Sequence, residues 1–269
     1  KLAPLGDLYI CDAFAAAHRN QPSLCGFEQI LPSAMGRLFE KEYCTISSIM
    51  KEPVRPCVFV LGGAKISDAF QMMQIVLEGG IADKILTGGL VANIFLIARE
   101  EKIGEGSVDF IYRSNYDEYI EKAKRLYKTY GEKIVLPSDL AWVEEEIRYE
   151  GKLSEIPREI CAVDIGHETA ANYRECILTA KTVFVNGPMG IFEQEKSEYG
   201  TKALWQALAD TEGFTVLGGG DSIAATEKYG LTDRIGYICT GGGALIRFLS
   251  GEELPVVKAL RYGSTLPLE

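Results

Sequence analysis

Lys65 follows Gly62-Gly63 in the stretch FVLGGAKISDAF, and Asp221 follows three glycines in VLGGGDSIAATEKY. One cation and one carboxylate beside glycine turns suit the handling of phosphate. A lysine can reach an anionic oxygen. A lone carboxylate can hold Mg2+ on nucleotide phosphates, because that ion takes much of its shell from water and phosphate. Each residue also has a plainer use. Asp221 could cap a helix and partner Ser222 and the first turn. Lys65 could be a solvated side chain, but a helix start disfavours positive charge, which argues for a functional role. Hydrolytic chemistry has little to draw on: neither of the two histidines, His18 and His167, has a serine or cysteine set beside it. Phosphoryl transfer fits better, since it needs positioning and electrostatics rather than a covalent nucleophile.

The same turn recurs. LGGAKIS (61–67), TGGLVAN (87–93), NGPMGIF (186–192), LGGGDSIAA (217–225) and TGGGALIRF (240–248) each follow an apolar run. Glycine there permits positive φ and lets a ligand approach without meeting a Cβ. In a doubly wound sheet all such turns share the carboxyl edge, where helix N-termini favour phosphate. Five together point to a phosphate or nucleotide crevice. No GxxxxGK[ST] is present, and GGGDSI and GGGALI both fail GxGxxG at the last position. That argues against a P-loop protein and lowers the reading as a dinucleotide oxidoreductase domain, which NADH binding would test.

The elements that must position these residues are legible as alternation. Strands are expected at CVFVL (57–61), DKILT (83–87), KIVLP (133–137), EICAV (159–163), TVFVN (182–186), FTVLG (214–218) and GYICT (236–240). Amphipathic stretches lie between them, for example 114–130 and 199–211. That pattern predicts an α/β fold: a doubly wound, Rossmann-like parallel sheet in three layers, with helices on both faces. Residues 138–159 are polar without a helical stripe and read as short strands and loops. LPSAMGRLFEKEYCTISSIM (31–50) reads as a helix, started at Pro32-Ser33 and ended by KEPVRP. It would connect two domains. The expected organisation is 1–30 as the remnant of a second domain, 31–52 as connector, 53–250 as the main domain and 251–269 as a tail. The net charge of -10 argues against a nucleic-acid or anionic-membrane partner. No apolar run is long enough to span a membrane. Seven cysteines without CxxC read as reduced side chains in a cytoplasmic protein.

GGAKISD, VNGPMGIFEQEKSEYGTKA, LGGGDSIAATEKYGL and TGGGALIRFLSGEELP stand in an order and spacing that resemble the C-terminal half of phosphoglycerate kinase. GDLYICDAFAAAHRNQPSLCGF (6–27) resembles the segment closing that family's N-terminal domain, and DAFAAAHR with LPSAMGRLFEKE is similar to the archaeal branch. The resemblance covers the whole chain. It implies two Rossmann-like domains joined by a helix, one binding 3-phosphoglycerate and the other Mg-ADP or Mg-ATP. Hinge closure would let a phosphoryl group pass between ATP and the carboxylate, giving 1,3-bisphosphoglycerate. A carboxylate is already ionised at neutral pH, so no general base is needed. Mg2+ is the implied cofactor, with ATP or ADP as substrate.

Residue by residue, the resemblance makes Arg19 the ligand of the 3-phosphoglycerate phosphate and Glu193 the acceptor for the ribose hydroxyls. Asn186 and Pro188 line the nucleotide site, and Gly88 and Gly89 flank the adenine. Gly219, Gly220, Asp221 and Ser222 form the phosphate segment, with Asp221 on the metal. Lys65 touches the nucleotide or the moving phosphoryl group, and Gly241, Gly242 and Gly243 form the helix start that faces it. The sequence departs from the family at two places. Ala69 stands where many members carry a second lysine, and Gln21 replaces the second histidine of HRxH. A lysine at 69 is expected to be tolerated. The opening KLAPLGDLYICDAF has no initiator Met and reads as a piece of a longer protein. The piece alone is expected to bind Mg-nucleotide without turning over, because one substrate site is almost wholly absent. The longer protein is expected to be a monomer. Exposure of Tyr9, Phe14 and Leu24 in the shorter chain would promote association. A non-catalytic adenine-nucleotide-binding protein on the same fold is the alternative.

Overall fold

A computed structural model describes residues 2–267. In chain order its strands are β1 Tyr9–Cys11, β2 Ser33–Met35, β3 Cys57–Leu61, β4 Lys84–Thr87, β5 Ile134–Val135, β6 Asp139–Glu144, β7 Ile147–Lys152, β8 Asp164–Ile165, β9 Thr182–Asn186, β10 Phe214–Gly218 and β11 Tyr237–Ile238. Its α-helices are α1 Pro22–Cys25, α2 Arg37–Lys51, α3 Ile66–Glu78, α4 Gly89–Ala98, α5 Glu105–Arg113, α6 Glu118–Tyr130, α7 His167–Thr179, α8 Tyr199–Asp210, α9 Gly220–Lys228, α10 Gly242–Leu249 and α11 Pro255–Gly263. Two compact units result: Pro53–Ile238, and Lys1–Glu52 together with Cys239–Glu269.

The central unit is a six-stranded parallel sheet in the order β11-β10-β9-β3-β4-β5, with helices on both faces. The chain starts at β3, builds outward through β4 to β5, then returns to β9 on the other side of β3. The topological switch therefore lies between β3 and β9. Both are continuous apolar runs because both are interior strands, covered above and below. Val58, Val60, Val183, Val185 and Leu217 form one core cluster with Tyr173 and Ile177 of α7, Leu204 and Trp205 of α8 and Ala225 of α9. The register brings the strand ends level: Leu61 pairs with both Thr87 and Asn186, and Asn186 with Gly218. All the glycine turns of this unit thus leave from one edge.

The stretch 138–159 is a β6–β7 hairpin, extended by β8 into a three-stranded sheet in the order β7-β6-β8. Asp139 of β6 reaches α7 and accepts the Thr169 and Glu168 N–H groups at 2.8 and 3.0 Å. It satisfies two donors that the helix start cannot pair internally. EICAV, expected as a strand, is irregular. Only its neighbour β8 pairs, because Ala162 and Val163 give their N–H groups to Ser107 Oγ and the Ala141 carbonyl.

The other unit holds the parallel pair β1-β2 with α1, α2, α10 and α11. Three expectations are corrected here. The helix after Leu31 starts at Arg37, capped by Gly36, because residues 33–35 are held by β1 in a strand. Residues 239–250 belong with 1–52 and not with 53–238, and 255–263 form a packed helix rather than a tail. The cause is a buried carboxylate. Glu42 of α2 is fully buried and accepts the Thr240 N–H at 3.1 Å, the Thr240 hydroxyl at 2.5 Å and the Cys239 thiol at 3.1 Å. Lastly, Phe14 is only 1% exposed, set edge-on to Phe39 and Phe248. Tyr9 and Leu24 are half-buried, and the exposed apolar side chains are instead Leu2, Leu5, Leu8, Ile10 and Ile30. No helix among the described residues is long and apolar enough to cross a membrane. All seven cysteines are free.

Candidate functional site

Three turns at the switch point are laced together by their backbones. Gly62 N–H donates to the Asn186 carbonyl at 3.0 Å, Gly63 N–H to Pro188 at 2.7 Å and Gly89 N–H to Met189 at 2.8 Å. This lacing dictates most of the glycines. A Cβ on Gly62 would lie 2.2 Å from the Pro188 carbonyl oxygen, and one on Gly88 would lie 2.4 Å from the Met189 sulfur. Gly187, at φ +94°, would place a Cβ 2.2 Å from the Gly62 carbonyl oxygen. Gly219, at φ +86°, would press on Asn186 Oδ1. These glycines serve loop against loop. Gly220 differs: a Cβ there would meet no protein atom within 4 Å, so the space beside it is open.

Above the lacing lies a cleft of about 430 Å³, walled by Leu90, Ala92, Phe110, Leu140, Val163 and Met189 and reaching Gly89, Pro188, Glu193 and Asp221. A small depression continues from it, ringed by Gly62, Gly63, Lys65, Ala69, Asn186, Gly187, Gly219, Asp221 and Ser222. The cleft is mostly apolar with a few polar groups in its lining, the usual make-up of a small-molecule site. Lys65 stands as the residue before α3, and its Nζ lies 3.5 Å from Asp221 Oδ2 in the first turn of α9. Both side chains are about half exposed, 55% and 49%, so the pair contributes little to stability and both partners can turn to a ligand. Lys65 is the only cationic side chain among the described residues lining the cleft and the depression. Asp221 is not the cap of α9, since that position is Gly219. Ala69 is buried in the depression wall, so a lysine there would have to lie against Asp221 or distort α3.

The remaining residues singled out in the sequence fall as follows. Gly89 lines the cleft, whereas Gly88 packs on Met189 outside it. Ser222 is fully buried and its hydroxyl accepts the Gly187 N–H at 2.8 Å, so its side chain holds the turn. Arg19 and the Gly241–Gly243 start of α10 belong to the other unit. There Arg19 is exposed, and the His18 ring would be 3.2 Å from a Cβ on Gly243. His18 is held below its ordinary pKa by burial, with Arg19 and Arg247 adding to the effect. His167 is outside the cleft lining. It pairs with Glu150 and packs on Tyr199, with ring centroids 3.8 Å apart. No group of three or more His, Cys, Asp or Glu among the described residues could hold a metal unaided.

Two features of the cleft wall escaped sequence reasoning. The first is a buried ion pair. Arg148 donates to Asp164 Oδ2 at 3.0 Å and to the Ile165 and Lys196 carbonyls at 2.9 Å, while Gly200 N–H donates to Asp164 at 2.8 Å. Burial nevertheless pushes the Asp164 carboxyl from 3.8 up to about 6, outweighing the Gly200 N–H and the guanidinium. The folded chain thus holds this proton more tightly than the unfolded one. Its share of stability is complete below the unfolded value and is lost as pH rises through about 6. A shift of that size corresponds to about 3 kcal/mol. Denaturant unfolding of the parent and of Asp164→Asn from about pH 4 to about pH 7 tests this: the parent should lose about 1–3 kcal/mol against the variant over that span. Parallel curves would remove Asp164 as the titrating group. The second feature is the anchoring of residues 187–193 by α8 and α9, developed below.

The phosphoglycerate kinase family model matches residues 1–252. The chain is 48% identical over 260 residues to phosphoglycerate kinase of Methanothermus fervidus, covering 97% of this chain and 63% of that protein. Among solved structures it is similar to phosphoglycerate kinase from Pyrococcus horikoshii OT3, with TM-score 0.90 and 41% identity, over 98% of this chain and 66% of that one. The Coxiella burnetii phosphoglycerate kinase structure superimposes with TM-score 0.87 at 32% identity, over 97% of this chain and 67% of that one. The chain spans about 63% of the length of the curated relatives it matches.

Proposed function

The chain belongs to the phosphoglycerate kinase family, and from that premise we propose that it is the Mg-nucleotide-binding part of such an enzyme, which passes a phosphoryl group between ATP and the carboxylate of 3-phosphoglycerate. One observation carries the reading. At the β3–β9 switch point Glu193 and Asp221 both line an apolar cleft, and Lys65 of the adjoining depression pairs with Asp221. A nucleotide carries the matching groups: a flat base for the apolar wall, ribose hydroxyls for a carboxylate and anionic phosphates for a cation and a metal-holding carboxylate.

In this reading Gly89 and Pro188 border the base, Glu193 accepts the ribose hydroxyls, and Lys65 meets the phosphates. Asn186 and Gly219 shape the turn beneath them, and Gly88 and Ser222 hold it from behind. Asp221 is the residue that would hold Mg2+. A single half-exposed carboxylate with an open side suits that ion, which prefers one or two carboxylates plus phosphate oxygens and water. Bound there, the metal would supply neutralisation of phosphate charge. Arg19 is assigned to the phosphate of 3-phosphoglycerate and Gly241, Gly242 and Gly243 to the transferring phosphoryl group. The acceptor carboxylate is ionised near neutral pH, which agrees with a cleft lining that contains no histidine. The protein is assigned to the cytoplasm, with the full-length enzyme a monomer.

Calorimetry of the 269-residue chain with ADP, with and without Mg2+, tests the reading beside a coupled kinase assay. Mg-ADP should bind and turnover should be absent. Absence of nucleotide binding would overturn the proposal, and robust turnover would overturn the expected dependence on a further segment. Gly220→Ala sharpens the test. With no protein atom in its way, the new methyl should leave the fold intact or raise its stability by about 0.5 kcal/mol, since glycine in a helix is the weaker residue. Mg-ADP affinity should nonetheless fall about tenfold, because the methyl occupies ligand space. Unchanged affinity would place the phosphates elsewhere.

A further inference from the structure

Glu193 is exposed on the loop that follows β9, and the preceding residue is buried. That loop, residues 187–193, is pinned at three points. Its start is held by Ser222 at the Gly187 N–H, 2.8 Å. Its middle is held by the fully buried Thr201 of α8, whose hydroxyl oxygen accepts the Met189 and Gly190 N–H groups at 3.1 and 3.3 Å. Its end is held by Lys228, whose Nζ donates to the Phe192 carbonyl at 2.6 Å. Lys228 is itself fixed by Glu198, 2.5 Å away, a carboxylate with 14% of its side chain exposed. Ser222 and Lys228 are both on α9, the helix whose first turn carries Asp221.

We infer that Lys228 is a positioning residue for the ribose of the nucleotide, acting through the Phe192 carbonyl to set the place of Glu193. This rests on the nucleotide reading of the cleft. One short helix then registers two parts of the ligand, with Asp221 at its start for the phosphates and Lys228 at its end for the sugar-binding carboxylate. Lys228 suits the task because a charge-assisted hydrogen bond to a carbonyl is short and strong, and Glu198 keeps the ammonium from swinging to solvent. Removing the ammonium leaves the Phe192 carbonyl without its donor and frees the loop next to Glu193.

The test separates sugar recognition from general loosening by comparing Mg-ADP with Mg-2′,3′-dideoxy-ADP, which lacks both ribose hydroxyls. The parent chain should prefer ADP by about tenfold or more, the scale of a hydrogen bond to a charged group. In Lys228→Met the preference should collapse to about twofold, by loss of ADP affinity alone. Lys228→Arg should restore most of it. Glu193→Gln should collapse it too, and adding Lys228→Met should cost nothing further in the ratio. Lys228→Gln serves the same purpose if the Met variant does not fold. Equal weakening of both ligands with the preference intact would make Lys228 merely structural and overturn the proposal. A parent chain that binds both ligands equally overturns the role of Glu193 and this inference together. A parent that binds neither overturns the nucleotide reading itself.

Discussion

Lys65→Ala should lower turnover about 100-fold or more in a full-length enzyme carrying this sequence, the usual scale for removing one donor aimed at developing charge. The magnitude follows from how few cations the cleft offers. Lys65 is the only one among its described lining residues, and the position one helical turn along is Ala69. A phosphoryl group in flight spreads negative charge over its equatorial oxygens. With no second lysine to share the load, loss of Lys65 leaves, in the proposed reading, only helix starts and a bound Mg2+ to compensate. Ground-state binding should suffer less. Lys65 is more than half exposed and sits 3.5 Å from Asp221, so its removal also relieves that pairing. Mg-ADP affinity of the 269-residue chain should therefore fall about threefold to tenfold, much less than kcat. A kcat near that of the parent would remove Lys65 from the mechanism, and equal losses in kcat and affinity would make it a simple binding residue. Lys65→Arg should recover only part of the rate, since a planar fork does not reproduce a compact ammonium.

Gly187→Ala should destabilise the central unit by about 4 kcal/mol or more, enough to abolish most folded protein at ordinary temperatures. Two penalties act at the same atom. The residue has φ +94°, outside the regions open to alanine, and the new Cβ would lie 2.2 Å from the Gly62 carbonyl oxygen. Neither can relax cheaply. Gly62 N–H is bonded to Asn186, Gly63 N–H to Pro188, and Gly187 N–H to the buried Ser222. Moving any strand of this lacing breaks a buried hydrogen bond, at about 1–3 kcal/mol each. Denaturant unfolding and soluble yield give the measurement. A loss below about 1 kcal/mol would mean that the lacing is soft. The contrast with Gly220→Ala is the informative part: two glycines in neighbouring turns, one required by the protein and one with open space beside it.

That contrast marks the limit of what was readable beforehand. The strands of the central sheet were legible because interior parallel strands must be apolar without a break, as in CVFVL and TVFVN. Four of the five glycine turns leave from one edge of that sheet, and the fifth, at 240–248, belongs to the other unit. Which glycines serve packing was not legible, because Gly62 and Gly220 look alike until the Pro188 carbonyl is placed over one of them. The β6–β7 hairpin was hidden by its turn. Glu145 and Glu146 both take positive φ, +48° and +63°, where Asn-Gly or Asp-Gly would have announced it. The return of residues 239–269 to the first unit was hidden because it depends on Glu42 meeting Thr240, 198 residues away in sequence. Lys228 was hidden likewise: its partners, Phe192 and Glu198, are 36 and 30 residues distant in the chain.

The two-part make-up of the first unit has a consequence for how the chain emerges during synthesis. Residues 53–238 are contiguous and contain their own core, so they can complete their fold as soon as they leave the ribosome. Residues 1–52 are made before the central unit yet finish after it. Phe14 has to wait for Phe248, and Glu42 for Cys239 and Thr240, while the entire central sheet is translated in between. Until then residues 1–52 carry a carboxylate, Glu42, without the partners that bury it, so this unit can close only after residues 239–250 have been translated.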